Sequence, residues 1–231
     1  MSYRAVIFDL GGVVFPSPLD AFRAYEARRG LPERFLSRVV LADPDAGAWS
    51  RLERGELDLG AFAERFEAEC AAAGAEIDAK ELMATVAAGM EPRPAMVAAV
   101  RRIRDHGLTT AALTNNWAVD APDAPGGGPA EPYGAAGGPS RSAMSDALDG
   151  LFDVVVESAV EGLRKPDPRI YTLVCERAGV EPAEAVFLDD LGANLKPARA
   201  MGMTTIKVAD PSAALAELAA VLGLALGQPV P

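Results

Sequence analysis

Histidine and cysteine are scarce in this chain, and basic residues are outnumbered. The single histidine, His106, sits in Arg104-Asp105-His106-Gly107, a pattern that reads as a helix end. A favourable charge at a helix C-terminus explains it better than catalysis does. The two cysteines, Cys70 and Cys175, fall on separate predicted helices far apart in sequence and read as reduced packing residues rather than a disulfide. Lys and Arg number 22 against 33 Asp and Glu, so the net charge is −11 and the pI about 4.6. That balance argues against a nucleic-acid partner or an anionic membrane surface. No apolar run approaches the ~20 residues of a membrane span. The chain enters a strand-like run almost at once, which leaves no room for a signal peptide. The expectation is a soluble cytoplasmic protein; the oligomeric state is not legible.

What is present is enough apolar material for a sizeable core. Half of the 231 residues are hydrophobic, which suits one α/β domain with an insertion or two small domains. Strand-like runs fall near residues 4–8, 108–114, 153–157, 185–189 and 204–208, with helical patterns between them. This alternation predicts a Rossmann-like parallel sheet covered by helices on both faces. The first interval is too long for one crossover helix. It holds at least three helical patterns, over 19–29, 33–41 and 59–73, with Phe62, Phe66 and Cys70 at helical spacing facing inward. Pro16 and Pro18 stand at its start and Pro92 and Pro94 at its end, so they serve as boundaries and could equally be hinges or plain linkers. The stretch 121–140 is dense in Gly and Pro, which oppose helix and strand alike, and reads as a surface loop. Residues 211–226 read as a closing helix and 227–231 as a tail.

Chemistry-bearing residues collect where these runs end. Ala5-Val6-Ile7-Phe8 runs into Asp9 and then Leu10-Gly11-Gly12. Open α/β sheets place ligands at the carboxyl ends of their strands, so Asp9 either meets a ligand there or merely caps a turn. A second run ends in Thr114-Asn115-Asn116, and a third in Asp189-Asp190. A helix N-cap accounts for one of those two carboxylates, and metal binding accounts for both. Lys165 stands just ahead of a proline-fixed turn in Gly162-Leu163-Arg164-Lys165-Pro166-Asp167-Pro168.

In this order and at these strand ends, the set resembles the haloacid dehalogenase superfamily, and within it the branch of the N-terminal phosphatase domain of soluble epoxide hydrolase. The segments Val186 to Arg199, Thr114 to Trp117 and Lys165 to Tyr171 carry that likeness, and the motifs together span residues 4 to about 208. The resemblance implies an α/β core (residues 1–14 and 93–231) and an inserted α-helical cap (residues 15–92), with Trp49 to Leu57 similar to cap sequence. It implies that Asp9 is the nucleophile and that Thr114 and Lys165 are catalytic. It places Thr114, Asn115, Lys165 and Asn194 around a phosphoryl group. It implies Mg2+ held by Asp9, the Gly11 carbonyl and Asp190, with Asp189 beside them. Asn194 is as well suited to helix capping, and Asn116 and Trp117 either line the pocket mouth or pack.

These residue types suit phosphoryl transfer. A carboxylate can attack phosphorus and split one hard step into two. An anionic nucleophile approaching an anionic phosphate needs a cation between them, and Lys165 can neutralise charge that builds in the transition state. The expected activity is that of a Mg2+-dependent phosphatase or phosphotransferase acting on a small phosphorylated metabolite. One departure stands out. Most phosphatases of the superfamily carry a second Asp two residues after the nucleophile as acid–base, and this chain has Gly11. Such a group contributes roughly 10²–10⁴-fold to rate. Two alternatives therefore stand beside the phosphatase: a dehalogenase using Asp9 without metal, and a catalytically impaired phosphate- or metabolite-binding protein.

Overall fold

The computed structural model describes residues 2–117, 148 and 150–226; the Gly/Pro-rich stretch 121–140 and the tail 227–231 lie outside the described residues. Five parallel strands form one sheet: β1 (Ala5–Phe8), β2 (Thr109–Thr114), β3 (Val154–Glu157), β4 (Ala185–Asp189) and β5 (Thr204–Lys207), in the order β3-β2-β1-β4-β5. Every residue of β1 and β4 is buried. A central parallel strand is covered on both faces, which is why its sequence is a continuous apolar run rather than an alternating one.

The pleat divides β1 between two cores. Val6 and Phe8 face α6 (Pro94–Asp105) and α10 (Pro211–Leu222) through Met96, Val100, Ile103 and Leu218. Ala5 and Ile7 face α8 (Pro168–Ala178) and α9 (Gly192–Ala200) through Ile170, Tyr171, Val174 and Leu195. A short helix, α7 (Ser158–Glu161), follows β3. Cys70 and Cys175 are both free and buried. His106 is the C-cap of α6.

Helix boundaries follow local chemistry. Pro occupies the first turn of α6, α8 and α10, where its missing N–H costs nothing. The last helix stops at Leu222, short of the expected 226, because Gly223 takes the left-handed conformation that ends it.

Between β1 and α6 lie five helices: α1 (Pro18–Arg29), α2 (Phe35–Ala42), α3 (Ala48–Glu53), α4 (Leu59–Ala72) and α5 (Ala79–Ala88). Three of these correspond to the helical patterns of the sequence. The other two, α3 and α5, were hidden for different reasons: α3 is only 6 residues long, and α5 is rich in alanine. The five helices close on a hydrophobic core of their own. At its centre Trp49 meets Phe22, Phe62 and Phe66, with ring centroids 5.0, 5.7 and 6.0 Å away. The buried Glu26 carboxylate takes hydrogen bonds from the Arg34 and Leu36 amides and thereby starts α2, whose N-cap Arg34 sits in the left-handed region.

Phe62 is fully buried and stacks on Phe66 at 5.2 Å. Phe62→Ala should lower the unfolding free energy by about 3–5 kcal/mol, the usual cost of emptying an aromatic site. Urea unfolding followed by tryptophan fluorescence measures this, since the emptied site lies against Trp49.

Candidate active site

The carboxyl ends of β1, β2 and β4 converge because these strands lie side by side. Asp9 follows β1 directly, and its amide donates to the Leu188 carbonyl at 2.8 Å, which extends the ladder to β4. Thr114 closes β2, and Asp189 closes β4 with Asp190 next to it. One oxygen each from Asp9, Asp189 and Asp190 lies within 4.8 Å of the others. Such spacing can hold one divalent cation, whose oxygen ligands sit at ~2.1 Å for Mg2+.

Lys165 is the central cation. Its side chain is 1% exposed, far from the solvated state usual for lysine. Nζ donates to Asp9 Oδ1, Asp189 Oδ2 and the Leu113 carbonyl, at 2.8, 2.8 and 2.9 Å. All three donors of the ammonium are therefore used. Burial pulls the Lys165 pKa down, but the Asp189 and Asp9 carboxylates outweigh it, and the net direction is up. Burial raises the Asp9 pKa well above the ordinary carboxylate range; Lys165 opposes this and Asp189 adds to it. A nucleophilic Asp9 must be anionic, so a second positive charge among these carboxylates would favour the reactive form.

Asp189 is an anchor. It is fully buried, and its oxygens accept from Lys165, from the Leu191 amide and from Asn194 Nδ2. Asn194 gives its side-chain amide to both Asp189 oxygens at 3.0 Å, while its own carbonyl accepts from the Tyr171 hydroxyl. Asn194 thus orients a carboxylate. Asp190 is more open and accepts from the Ser17 hydroxyl at 3.2 Å. Burial first, and then Asp189, push its pKa up to about 6. Ser17 also caps α1.

The amides after Thr114 do structural work. Asn115 brackets the lysine from behind: its Oδ1 accepts from the Lys165 amide at 2.8 Å and its Nδ2 donates to the Lys165 carbonyl at 3.0 Å. Its side chain is thereby tied to both backbone groups of Lys165. Asn116 joins the ends of β2 and β3 through Glu157 and Ser158. Trp117 packs on Trp49 at 5.7 Å.

Two residues that the motifs do not signal, Glu53 and Arg164, link the helices to these strand ends. Glu53, at the end of α3, is buried, and its carboxylate accepts from Trp49 Nε1 at 3.0 Å and Arg164 Nε at 2.7 Å. Burial raises its pKa, with Arg164 and Trp49 opposing. Only the packing of α3 against the strand ends reveals this role. In the sequence, Glu53 is one of 33 acidic residues.

This chain belongs to the haloacid dehalogenase-like hydrolase family, whose sequence pattern matches residues 3–202. Within that family it falls in the branch that includes bifunctional epoxide hydrolase 2. It is 38% identical over its whole length to acyl-CoA dehydrogenase family member 10 of Mus musculus, and 32% identical over 99% of its length to bifunctional epoxide hydrolase 2 of Sus scrofa. It spans only 20% and 40% of those two proteins. It is also 31% identical to phosphatase MT3486 of Mycobacterium tuberculosis (strain CDC 1551 / Oshkosh), over 88% of this chain and 86% of that one. Solved structures share the fold. A HAD family enzyme from Bacteroides thetaiotaomicron, complexed with magnesium and inorganic phosphate, aligns with TM-score 0.57 at 16% identity, covering 89% of this chain and 94% of that one. An L-2-haloacid dehalogenase from Xanthobacter autotrophicus with chloropropionic acid covalently bound aligns with TM-score 0.57 at 24% identity, covering 96% of this chain and 84% of that one.

The two glycines after Asp9 differ in what they tolerate. Gly12 has φ +80°, and a Cβ there would fall inside the Asp190 carboxylate. A Cβ on Gly11 would meet only Pro18, with Cδ nearest at 3.3 Å. Gly12→Ala should therefore cost about 1–2 kcal/mol for the backbone alone, and more for displacing Asp190. Gly11→Ala should stay within roughly 1 kcal/mol. Urea midpoints of the two variants provide the comparison.

Proposed function

We propose that this chain is a Mg2+-dependent phosphatase that cleaves small phosphomonoesters through an aspartyl-phosphate on Asp9. The observation that carries the reading is the meeting of three carboxylates and one buried ammonium at three strand ends. A dehalogenase needs one carboxylate nucleophile and can use Asp189 to hold Lys165, but the third carboxylate, Asp190, has no evident part in such a reaction. A phosphatase needs the extra carboxylates to hold a cation against the phosphate. The similarity to phosphatase MT3486 supports the same reading.

Asp9, Asp190 and the Gly11 carbonyl would hold the metal, and Asp189 would stand behind them fixing Lys165. When bound, Mg2+ would screen the phosphate and the carboxylates from one another. In this reading Asp9 attacks phosphorus in line with the ester oxygen; the P–O bond to the alcohol breaks, the departing alkoxide takes a proton from solvent water, and the acyl phosphate forms. The Lys165 charge, whose three donors are held by Asp9, Asp189 and the Leu113 carbonyl, acts on the equatorial oxygens through space, and the Thr114 hydroxyl would donate to one of them. Water then attacks phosphorus, its proton passes to solvent, and the bond to Asp9 breaks to give free carboxylate and inorganic phosphate. Helices α1–α5, the cap of residues 15–92, would cover the site and limit water during the first step.

Asp190 provides a test of the metal site. Its pKa is raised from 3.8 to about 6, so the folded state holds a proton that the unfolded chain has already released in that window. In chelator, this group's stabilisation is fully present below pH 3.8 and is lost as pH rises through about 6. A cation competes with that proton. Mg2+ should therefore raise the melting temperature by roughly 5–10 °C at a hundredfold excess over Kd above pH 7, and far less at pH 5. Calorimetry at the two pH values, with Mg2+ or with chelator, measures this.

Gly11 provides a test of the second chemical step. With no carboxylate there to activate water, the phosphoenzyme should accumulate. Rapid mixing with an activated aryl phosphate should give a burst of about one equivalent per site, followed by slow turnover. A Cβ at Gly11 would stand 3.3 Å from Pro18 Cδ, so a side chain there requires the proline ring to give by a few tenths of an ångström; once the turn accepts it, Gly11→Asp should shorten the phosphoenzyme lifetime at least ~10-fold, within the range of acid–base catalysis. Asp9→Asn should abolish both phases. Full activity in Asp9→Asn would remove the nucleophile assignment. Fast turnover without a burst, slowed by Gly11→Asp, would mean that another group already activates the water.

A further inference from the structure

We propose that Glu53 is a positioning residue: it clamps the lysine-bearing loop to the helical layer, so that Lys165 is set against Asp9 only when α3 is seated on the strand ends. The argument begins with where the Glu53 carboxylate lies. Its side chain is 10% exposed, although it belongs to the last residue of a short helix. From the helical side, Trp49 Nε1 donates to its Oε1 at 3.0 Å, and Trp49 is itself locked among Phe22, Phe62 and Phe66. From the sheet side, Arg164 Nε donates to its Oε2 at 2.7 Å, with Asn115 Nδ2 at the outer limit of a hydrogen bond, 3.5 Å.

Both sheet-side partners control Lys165. Arg164 is its neighbour in the chain and reaches further into the helical layer, donating through a second nitrogen to the Pro44 carbonyl at 3.0 Å. Asn115 holds the Lys165 amide and carbonyl through both ends of its side chain. One carboxylate on α3 thus touches each residue that fixes the backbone of Lys165. The Lys165 ammonium in turn spans Asp9 and Asp189. The Glu53 oxygens are taken up by Trp49, Arg164 and Asn115, so Glu53 acts through this loop rather than on the reacting atoms. The charge on Glu53 is needed because a neutral amide cannot accept from Arg164, Trp49 and Asn115 without turning its own NH2 toward one of those donors.

Hydrogen exchange tests this directly and does not depend on the phosphatase reading. The Lys165 amide is protected by Asn115 Oδ1. In both Glu53→Gln and Arg164→Met, a peptide covering residues 163–165 should exchange roughly 10-fold faster, whereas peptides from β4 and from α4 keep wild-type rates. The kinetic arm rests on the phosphatase reading. With an aryl phosphate, kcat should fall about 10–100-fold in either variant while KM changes less than about 3-fold, as expected when a catalytic group is misplaced and substrate binding is retained. The double variant should add little to either single one, because both remove the same clamp. Unchanged exchange at 163–165 in both single variants would overturn the proposal. So would faster exchange spread evenly over α1–α5, which would make Glu53 a support of the helical layer alone. A wild-type protein that hydrolyses no phosphate ester would defeat the phosphatase reading and leave the exchange result to decide this one.

Discussion

A lysine ammonium buried between two aspartates is the constraint on which the rest of this structure depends. Leaving either charge in the interior without its partner would cost several kcal/mol. Lys165 is 1% exposed and Asp189 is not exposed at all, so neither can fall back on water. The three adjacent strand ends must therefore meet in register: β1 to deliver Asp9, β4 to deliver Asp189, and β2 to deliver the Leu113 carbonyl. The sheet order puts β1 in the middle, between β2 and β4, and no other strand could touch both.

That constraint also shapes the groups around it. Asn194 and the Leu191 amide satisfy the remaining capacity of Asp189, and Asn115 satisfies both backbone groups of Lys165. Asp190 is less tightly held, with Ser17 as its side-chain partner, and it is the carboxylate best placed to exchange a proton for a cation. Gly12 lets the chain pass close enough for Asp190 to stand beside Asp9, because any side chain at its φ of +80° would collide with that carboxylate. Gly11 is under no such pressure. A Cβ there would stand 3.3 Å from Pro18 Cδ, a tight contact that a small shift of the proline ring would relieve.

The helical layer is built on different physics from the sheet. Its core is aromatic and centred on Trp49, with buried polar ties such as Glu26 to the Arg34 and Leu36 amides fixing its helices. Among the contacts that join it to the sheet are Glu53 with Arg164, Arg164 with the Pro44 carbonyl, Ser17 with Asp190, and Trp117 against Trp49. Arg93 closes the return path, since its guanidinium bridges the Val13 and Phe15 carbonyls where the chain leaves the sheet.

The strands, most helices and the family were determined by sequence alone, which also marked the residues that gather at the strand ends. Parallel strands buried on both faces must be apolar throughout, so Ala5 to Phe8 and Ala185 to Leu188 announce themselves, and the residues that end such runs must face the crevice. Asp9, Thr114, Asp189 and Asp190 were legible for that reason, and Lys165 through its proline-fixed turn. Local pattern could not say which polar groups face one another. Pattern placed Asn115 and Asn194 near a phosphoryl group, and the fold adds that Asn115 brackets the backbone of Lys165, that Asn194 donates to Asp189, and that Trp117 packs against Trp49. The pairings of Glu53 with Arg164 and of Ser17 with Asp190 carried no signal, although Glu53 and Arg164 lie inside segments that did, because the partners stand 111 and 173 residues apart along the chain. Only the tertiary structure decided those pairings, since a charge finds its partner through space, and its own neighbours in sequence do not say which element will be packed against it.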